Sequence, residues 1–202
     1  MNAAGVVLCG GRSSRMGTSK ALLEFGSETM LQRVVRLLGT AVSPIVVVAA
    51  PGQILPALAA SVTVARDEQE GRGPLEGLRA GLKALPASVD VAYITSCDVP
   101  LLVPAFVQRM IELANGYDIA ITENDGFAHP LSAIYRRAAL PHAVELLSAD
   151  QRRVSNLFQR LRTRRVPASD MRSVDPELET LRNLNTREDY VAALAAAGYQ
   201  PR

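Results

Sequence analysis

The chain has 202 residues, 48% hydrophobic and 21% charged, with a formal net charge of +2. That is chain enough for a sizeable core, and too little charge imbalance to argue for a nucleic-acid or membrane-surface partner. No apolar run approaches the roughly 18 residues of a membrane helix, no signal peptide is expected, and the two cysteines, Cys9 and Cys97, have neither metal-knuckle nor CxxC spacing. Two small buried thiols in a reducing cytoplasm are expected.

A strand is predicted over residues 6–9, and it empties into Gly10-Gly11-Arg12-Ser13-Ser14-Arg15-Met16-Gly17-Thr18-Ser19-Lys20. Glycines let a backbone approach an anion and turn its N–H groups toward it, while two arginines and a lysine neutralise the remaining charge. The loop therefore reads as a polyphosphate cradle. It is not a P-loop, because Lys20 stands too far after Gly17, and Gly10, Gly11 and Gly17 lack the spacing of the dinucleotide fingerprint.

Apolar residues at Met30, Leu31, Val34, Val35, Leu37 and Leu38 predict a helix over 29–38. Short β-branched runs at 45–49, 62–65 and 91–95 read as strands covered on both faces. Helices are predicted at 75–85 and at 104–114, where Pro104 suits a first turn. This alternation implies right-handed βαβ units in a three-layer α/β sandwich with a mostly parallel central sheet. Further on, strands are expected at 118–122, 131–135 and 163–166, and helices at 138–147, 154–161 and 186–197. Thr186 and Asp189 form a near capping box for the last helix. No repeat or linker interrupts the pattern, so one domain over 1–202 is expected.

Asp67 follows the 62–65 run and precedes a polar loop, after which Gly73-Pro74-Leu75-Glu76-Gly77 marks a turn and helix start. Asp98, in Ser96-Cys97-Asp98-Val99-Pro100, stands at the carboxyl end of a strand, where α/β proteins bind ligands. Its carboxylate is a hard ligand suited to Mg²⁺. His129 has no triad partner in the sequence. Arg152, Arg153, Arg160, Arg162, Arg164 and Arg165 make a later basic bias, and arginine suits phosphate. Asn183 and Asn185 can hydrogen-bond polar ring edges, or cap the last helix.

The stretch from Leu8 to Lys20 resembles the nucleotidyltransferase signature LxGGxSxRMGxxK, with Cys9 where alanine is usual. Together with Asp67, the GPLxG segment, the CDxP motif at Asp98, His129-Pro130, the Arg152-Arg153-Val154 segment and Asn183-Leu184-Asn185-Thr186, it is similar to the molybdenum cofactor guanylyltransferases, the MobA family, over nearly the whole chain. The resemblance implies a Rossmann-like fold with a nucleotide-binding N-terminal half and an acceptor-binding C-terminal half. Leu8, Cys9, Gly10, Gly11, Lys20, Asp67, Gly73, Pro74, Leu75 and Asp98 would line the nucleotide site. His129, Arg153, Asn183 and Asn185 would face the acceptor.

The implied reaction passes GMP from GTP to the terminal phosphate of molybdopterin, with Mg²⁺ on Asp98 and with Arg15 and Lys20 neutralising growing charge. Such transfer rests on positioning and electrostatics and needs no protein nucleophile. Other molybdenum cofactor biosynthesis proteins and apo-molybdoenzymes would be its partners. Two alternatives stay open: a cytidylyltransferase, against which Gly10-Gly11 argues in the resemblance, or another small-molecule nucleotidyltransferase of this fold, which would not be expected to end in Asn183-Leu184-Asn185-Thr186, and a non-catalytic nucleotide- or pterin-binding adaptor. One position departs from the family: Ala50 stands where an asparagine often follows the second strand.

Overall fold

The computed structural model describes residues 2–10, 19–69 and 71–200. In chain order its elements are β1 (Ala3–Leu8), a hairpin of β2 (Glu24–Phe25) and β3 (Glu28–Thr29), α1 (Met30–Gly39), β4 (Ile45–Ala49), β5 (Val62–Arg66), α2 (Pro74–Ala84) and β6 (Val91–Ser96). There follow α3 (Pro104–Leu113), β7 (Ile119–Asn124), β8 (Phe127–Arg136), α4 (Ala139–Ser148), β9 (Thr163–Pro167) and α5 (Arg187–Ala196).

Seven strands form the main sheet in the order β5-β4-β1-β6-β8-β7-β9. Only β8 runs against its neighbours, so the sheet is mostly parallel, as expected. β1 shows why both faces are covered. Ala3 and Val7 belong to one core with Leu31 and Leu38 of α1 and Phe106 and Met110 of α3; Ala4, Val6 and Leu8 belong to the other, with α2 and α4. Period-two alternation of apolar residues on a central strand thus builds two cores and three layers.

α2 lies close against the sheet. A Cβ on Gly81 would stand 2.5 Å from Val6 Cγ1, and one on Gly77 3.2 Å from Leu8 Cδ1. Two glycines four residues apart on one helix face permit this approach, which carries the start of α2 to the end of β1. The chain runs outward from β1 through β4 to β5, then returns to the other side of β1 with β6. That reversal opens a crevice at the carboxyl ends of β1 and β6.

Several elements differ from expectation for local reasons. β5 is an edge strand with Thr63 and Val64 exposed, so it is not covered on both faces. The strand expected at 131–135 is the far half of β8, which begins at the Asp125-Gly126 turn, where both residues have positive φ. Residues 154–159 form a 3-10 helix rather than an α-helix. The β2–β3 hairpin was not anticipated, because two-residue strands leave no periodic pattern.

That hairpin seats the C-terminal helix. Phe25 and Met30 pack with Leu184, Ala193 and Leu194 in a third core, and the Arg33 guanidinium lies 4.8 Å from the centre of the Phe25 ring. Thr186 and Asp189 make the full capping box that starts α5. Among the described residues no helix is long and apolar enough to cross a membrane.

Candidate active site

A cavity of about 640 Å³ opens at the carboxyl ends of β1, β4 and β6. Leu8, Cys9, Gly10, Lys20, Asp67, Gly73, Pro74, Asp98 and Asn183 all line it. Two carboxylates stand in its wall, one on the loop after β5 and one just beyond β6.

Asp98 is surrounded by donors. Lys20 Nζ lies 2.9 Å from its Oδ2; Ser96 Oγ donates to Oδ1 at 2.5 Å and Asn183 Nδ2 donates to the same oxygen at 3.0 Å. Lys20 also donates to Asn185 Oδ1 at 3.1 Å, and the Leu184 N–H donates to the Asp98 carbonyl at 2.9 Å. The 183–185 segment is thereby laced to the β6 end of the cavity. Its other side is fixed by the α5 cap, where the Asn185 N–H donates to Asp189 Oδ2 at 3.0 Å.

Asp67 is held by its backbone, whose N–H donates to Ala49 O at 3.0 Å. Its Oδ1 is buried and has no hydrogen-bond partner among the described residues. Its Oδ2 sits where a Cβ on Gly10 would be 2.9 Å away, so a side chain at position 10 would displace it. Burial pushes the Asp67 carboxyl up to about 6, helped by the nearby Glu76 carboxylate and opposed by Arg79. Glu76 is buried and paired with Arg79 at 2.8 Å, and its Oε1 accepts the Glu68 N–H at 2.9 Å. This ion pair braces the loop that presents Asp67.

Cys9 and Cys97 follow the paired ends Leu8 and Ser96 of neighbouring strands and line the cavity as free thiols. The neighbouring Cys97 thiol and then burial raise the Cys9 thiol well above its ordinary range, which keeps it protonated.

Of the other predicted site residues, Asn185 joins the cavity wall through Lys20. Leu75 is in the first turn of α2, but its side chain is buried in the core. His129 on β8 is half-buried, and burial pulls its imidazole below the ordinary range. Arg153 is exposed just before the 154–159 helix. Neither of these two lines the cavity, although Leu131 does. Gly11 and Arg15 lie outside the described residues. Ser96, Gly77 and Leu131 also line the cavity and were not singled out from sequence. Ser96 had a signal in its spacing, two residues before Asp98.

Among the described residues no three His, Cys, Asp or Glu side chains cluster as a metal cage. Asp98 alone suits Mg²⁺, which keeps several waters and is bound through one or two carboxylates plus substrate phosphates.

The crevice thus joins a strand-end carboxylate to a lysine that follows a glycine-rich stretch of sequence, and the comparisons with known proteins place such a site in the nucleotidyltransferase class. A model of the MobA-like NTP transferase domain matches residues 5–166, and the chain belongs to that family. A probable molybdenum cofactor guanylyltransferase of Mycobacterium avium is 36% identical over 98% of this chain and 97% of its own length. One from Pelotomaculum thermopropionicum is 32% identical over 98% and 94%. The solved molybdopterin-guanine dinucleotide biosynthesis protein A of Archaeoglobus fulgidus shares the fold at TM-score 0.80 and 20% identity, over 96% of this chain and 98% of that one. Rv0371C of Mycobacterium tuberculosis, solved as a complex with manganese, shares it at TM-score 0.68 and 17% identity, over 97% and 100%.

Proposed function

We propose that this protein transfers GMP from GTP to the terminal phosphate of molybdopterin, forming the guanine dinucleotide form of molybdenum cofactor and releasing pyrophosphate. The observation that carries this reading is the meeting of Lys20, Asp98, Asn183 and Asn185 in one hydrogen-bonded network, drawn from the phosphate loop, a strand end and the C-terminal segment. The names of the relatives at 32–37% identity supply the substrate pair.

The acceptor's phosphate oxygen attacks the α-phosphorus, a P–O bond forms, and the bond to the β-phosphate breaks with its electrons leaving on pyrophosphate. Lys20, paired with Asp98 at 2.9 Å, is placed to neutralise charge as it grows on the phosphates. Asp98 would hold Mg²⁺, which supplies charge neutralisation on the phosphates when bound; the Mycobacterium tuberculosis protein of this fold was solved as a complex with manganese, in keeping with a divalent cation. Asp67 orients the nucleotide, and Arg15 assists Lys20 from the phosphate loop. Asn183 and Asn185 serve the acceptor at the β6 end of the cavity, and His129 and Arg153, which do not line it, would meet only a part of the acceptor that extends beyond it. The free, buried thiols support a reducing cytoplasm, where other cofactor biosynthesis proteins and apo-molybdoenzymes take the product.

Pyrophosphate release, measured with Mg²⁺ and a panel of GTP, CTP and ATP, tests the reading. Release with GTP that requires molybdopterin is expected. Faster release with CTP would make the protein a cytidylyltransferase, and binding without release from any nucleotide would make it an adaptor.

A further inference from the structure

Ala50 stands where the family resemblance calls for an asparagine, and a side-chain carboxamide bonds its backbone. It comes from Gln53. Residues Ala50-Pro51-Gly52-Gln53 close a turn in which the Gln53 N–H donates to Ala50 O at 3.2 Å and Gly52 has φ +70°. Proline second and glycine third is the pattern of a type II turn. The turn folds the Gln53 side chain back, so that Ala50 N–H donates to Oε1 at 3.0 Å. Nε2 then donates to Cys9 O at 3.1 Å and, more loosely, to Ser19 Oγ at 3.4 Å. Arg66 Nη1 closes the turn from outside, donating to the carbonyls of Ala50 at 2.9 Å and Gln53 at 2.8 Å.

The partners are telling. Cys9 directly precedes Gly10 and Ser19 directly precedes Lys20, so one carboxamide touches both ends of the glycine-rich loop and the end of β4. Gln53 itself does not line the cavity. We propose that Gln53 is a positioning residue: it clamps the two ends of the phosphate loop to β4 and thereby sets where Gly10 and Lys20 stand for the nucleotide. This rests on the reading of the cavity as the GTP site. The chemistry asks for an amide, because the group must accept from one backbone N–H and donate to a backbone carbonyl at once. Glutamine does both, and an ionised carboxylate of the same length does only the first.

Pyrophosphate release under GTP titration, with molybdopterin and Mg²⁺ supplied, tests the clamp in Gln53→Ala and Gln53→Glu. Both variants are expected to raise the KM for GTP about tenfold and to lower kcat several-fold, because a misplaced Gly10 weakens nucleotide binding and a misplaced Lys20 stabilises the growing charge less well. Gln53→Glu should be at least as impaired as Gln53→Ala, since its carboxylate faces the Cys9 carbonyl. A KM for GTP within about twofold of wild type in either variant overturns the proposal, and so does a fall in kcat that tracks lost folded protein at unchanged KM. Lys20→Ala, assayed in parallel, separates the two readings. Full activity there sinks the cavity assignment itself, whereas an inactive Lys20→Ala beside a normal Gln53→Ala sinks only the clamp.

Discussion

The two carboxylates of the cavity are held in opposite ways. Asp98 has a lysine on one oxygen and a serine and an asparagine on the other. Asp67 has one oxygen buried with no partner among the described residues, and its proton affinity is raised for that reason. The first arrangement holds a negative charge in place and suits a cation. The second leaves an acceptor unsatisfied, a costly condition that a ligand's N–H or O–H groups relieve. We propose that the difference separates the roles, with Asp98 serving the phosphates and their counter-ion and Asp67 the neutral part of the nucleotide.

The sharpest way to break that division is at Asp98. Asp98→Ala should abolish pyrophosphate release while GTP binding survives in part through Asp67; near-normal turnover with Mg²⁺ would show the metal assignment to be wrong. Lys20→Ala should slow turnover by a factor of about 10² or more, the usual loss on removing a charge that stabilises a transition state. Single-turnover measurements at saturating GTP would place that loss on chemistry, and a loss confined to KM would reassign Lys20 to binding alone.

Asp67 gives a smaller effect with a pH signature. Its carboxyl rises from 3.8 to about 6 on folding, so the folded state holds a proton that the unfolded chain has released. Its contribution to stability is present below pH 4, falls as pH rises through 6, and is flat above. GTP that donates to the ionised carboxylate should bind less well as pH is lowered through about 6. Asp67→Asn should weaken GTP binding about tenfold at neutral pH, the cost of a charge-assisted hydrogen bond, and should remove this pH step. Calorimetric titrations of both proteins from pH 5 to 8 cancel the titration of GTP itself. A pH step that persists in the variant would assign it elsewhere.

The same contrast marks how much of the molecule could be read from its sequence. Asp98 was visible because it sits where a β-branched run ends, and the helices at 29–38 and 104–114 because their apolar spacing is local. β5 has the same β-branched character as β4, and only the strand order reveals that one is an edge and the other a centre strand. Nothing local marks Gln53, since its partners Cys9 and Ser19 lie 44 and 34 residues away. The unpartnered oxygen of Asp67 is likewise a property of packing. Residue type places a group at a strand end or a turn, but whether that group is satisfied depends on elements distant in the chain.

Asn183 tests the boundary between the two ends most finely. It lines the cavity and donates to Asp98 Oδ1, but Asp98 keeps Ser96 on that oxygen and Lys20 on the other when Asn183 is truncated. The segment around it stays anchored, because the Leu184 N–H still donates to the Asp98 carbonyl and Leu184 remains in the core with Phe25 and Leu194. Asn183→Ala should therefore leave GTP affinity within about threefold of wild type, while the KM for molybdopterin rises about tenfold through loss of a side-chain amide to the acceptor. Equilibrium binding of GTP and steady-state titration of molybdopterin read the two arms separately. A large loss of GTP affinity would move Asn183 to the nucleotide side and make the Asp98 network a part of donor binding as well as of chemistry.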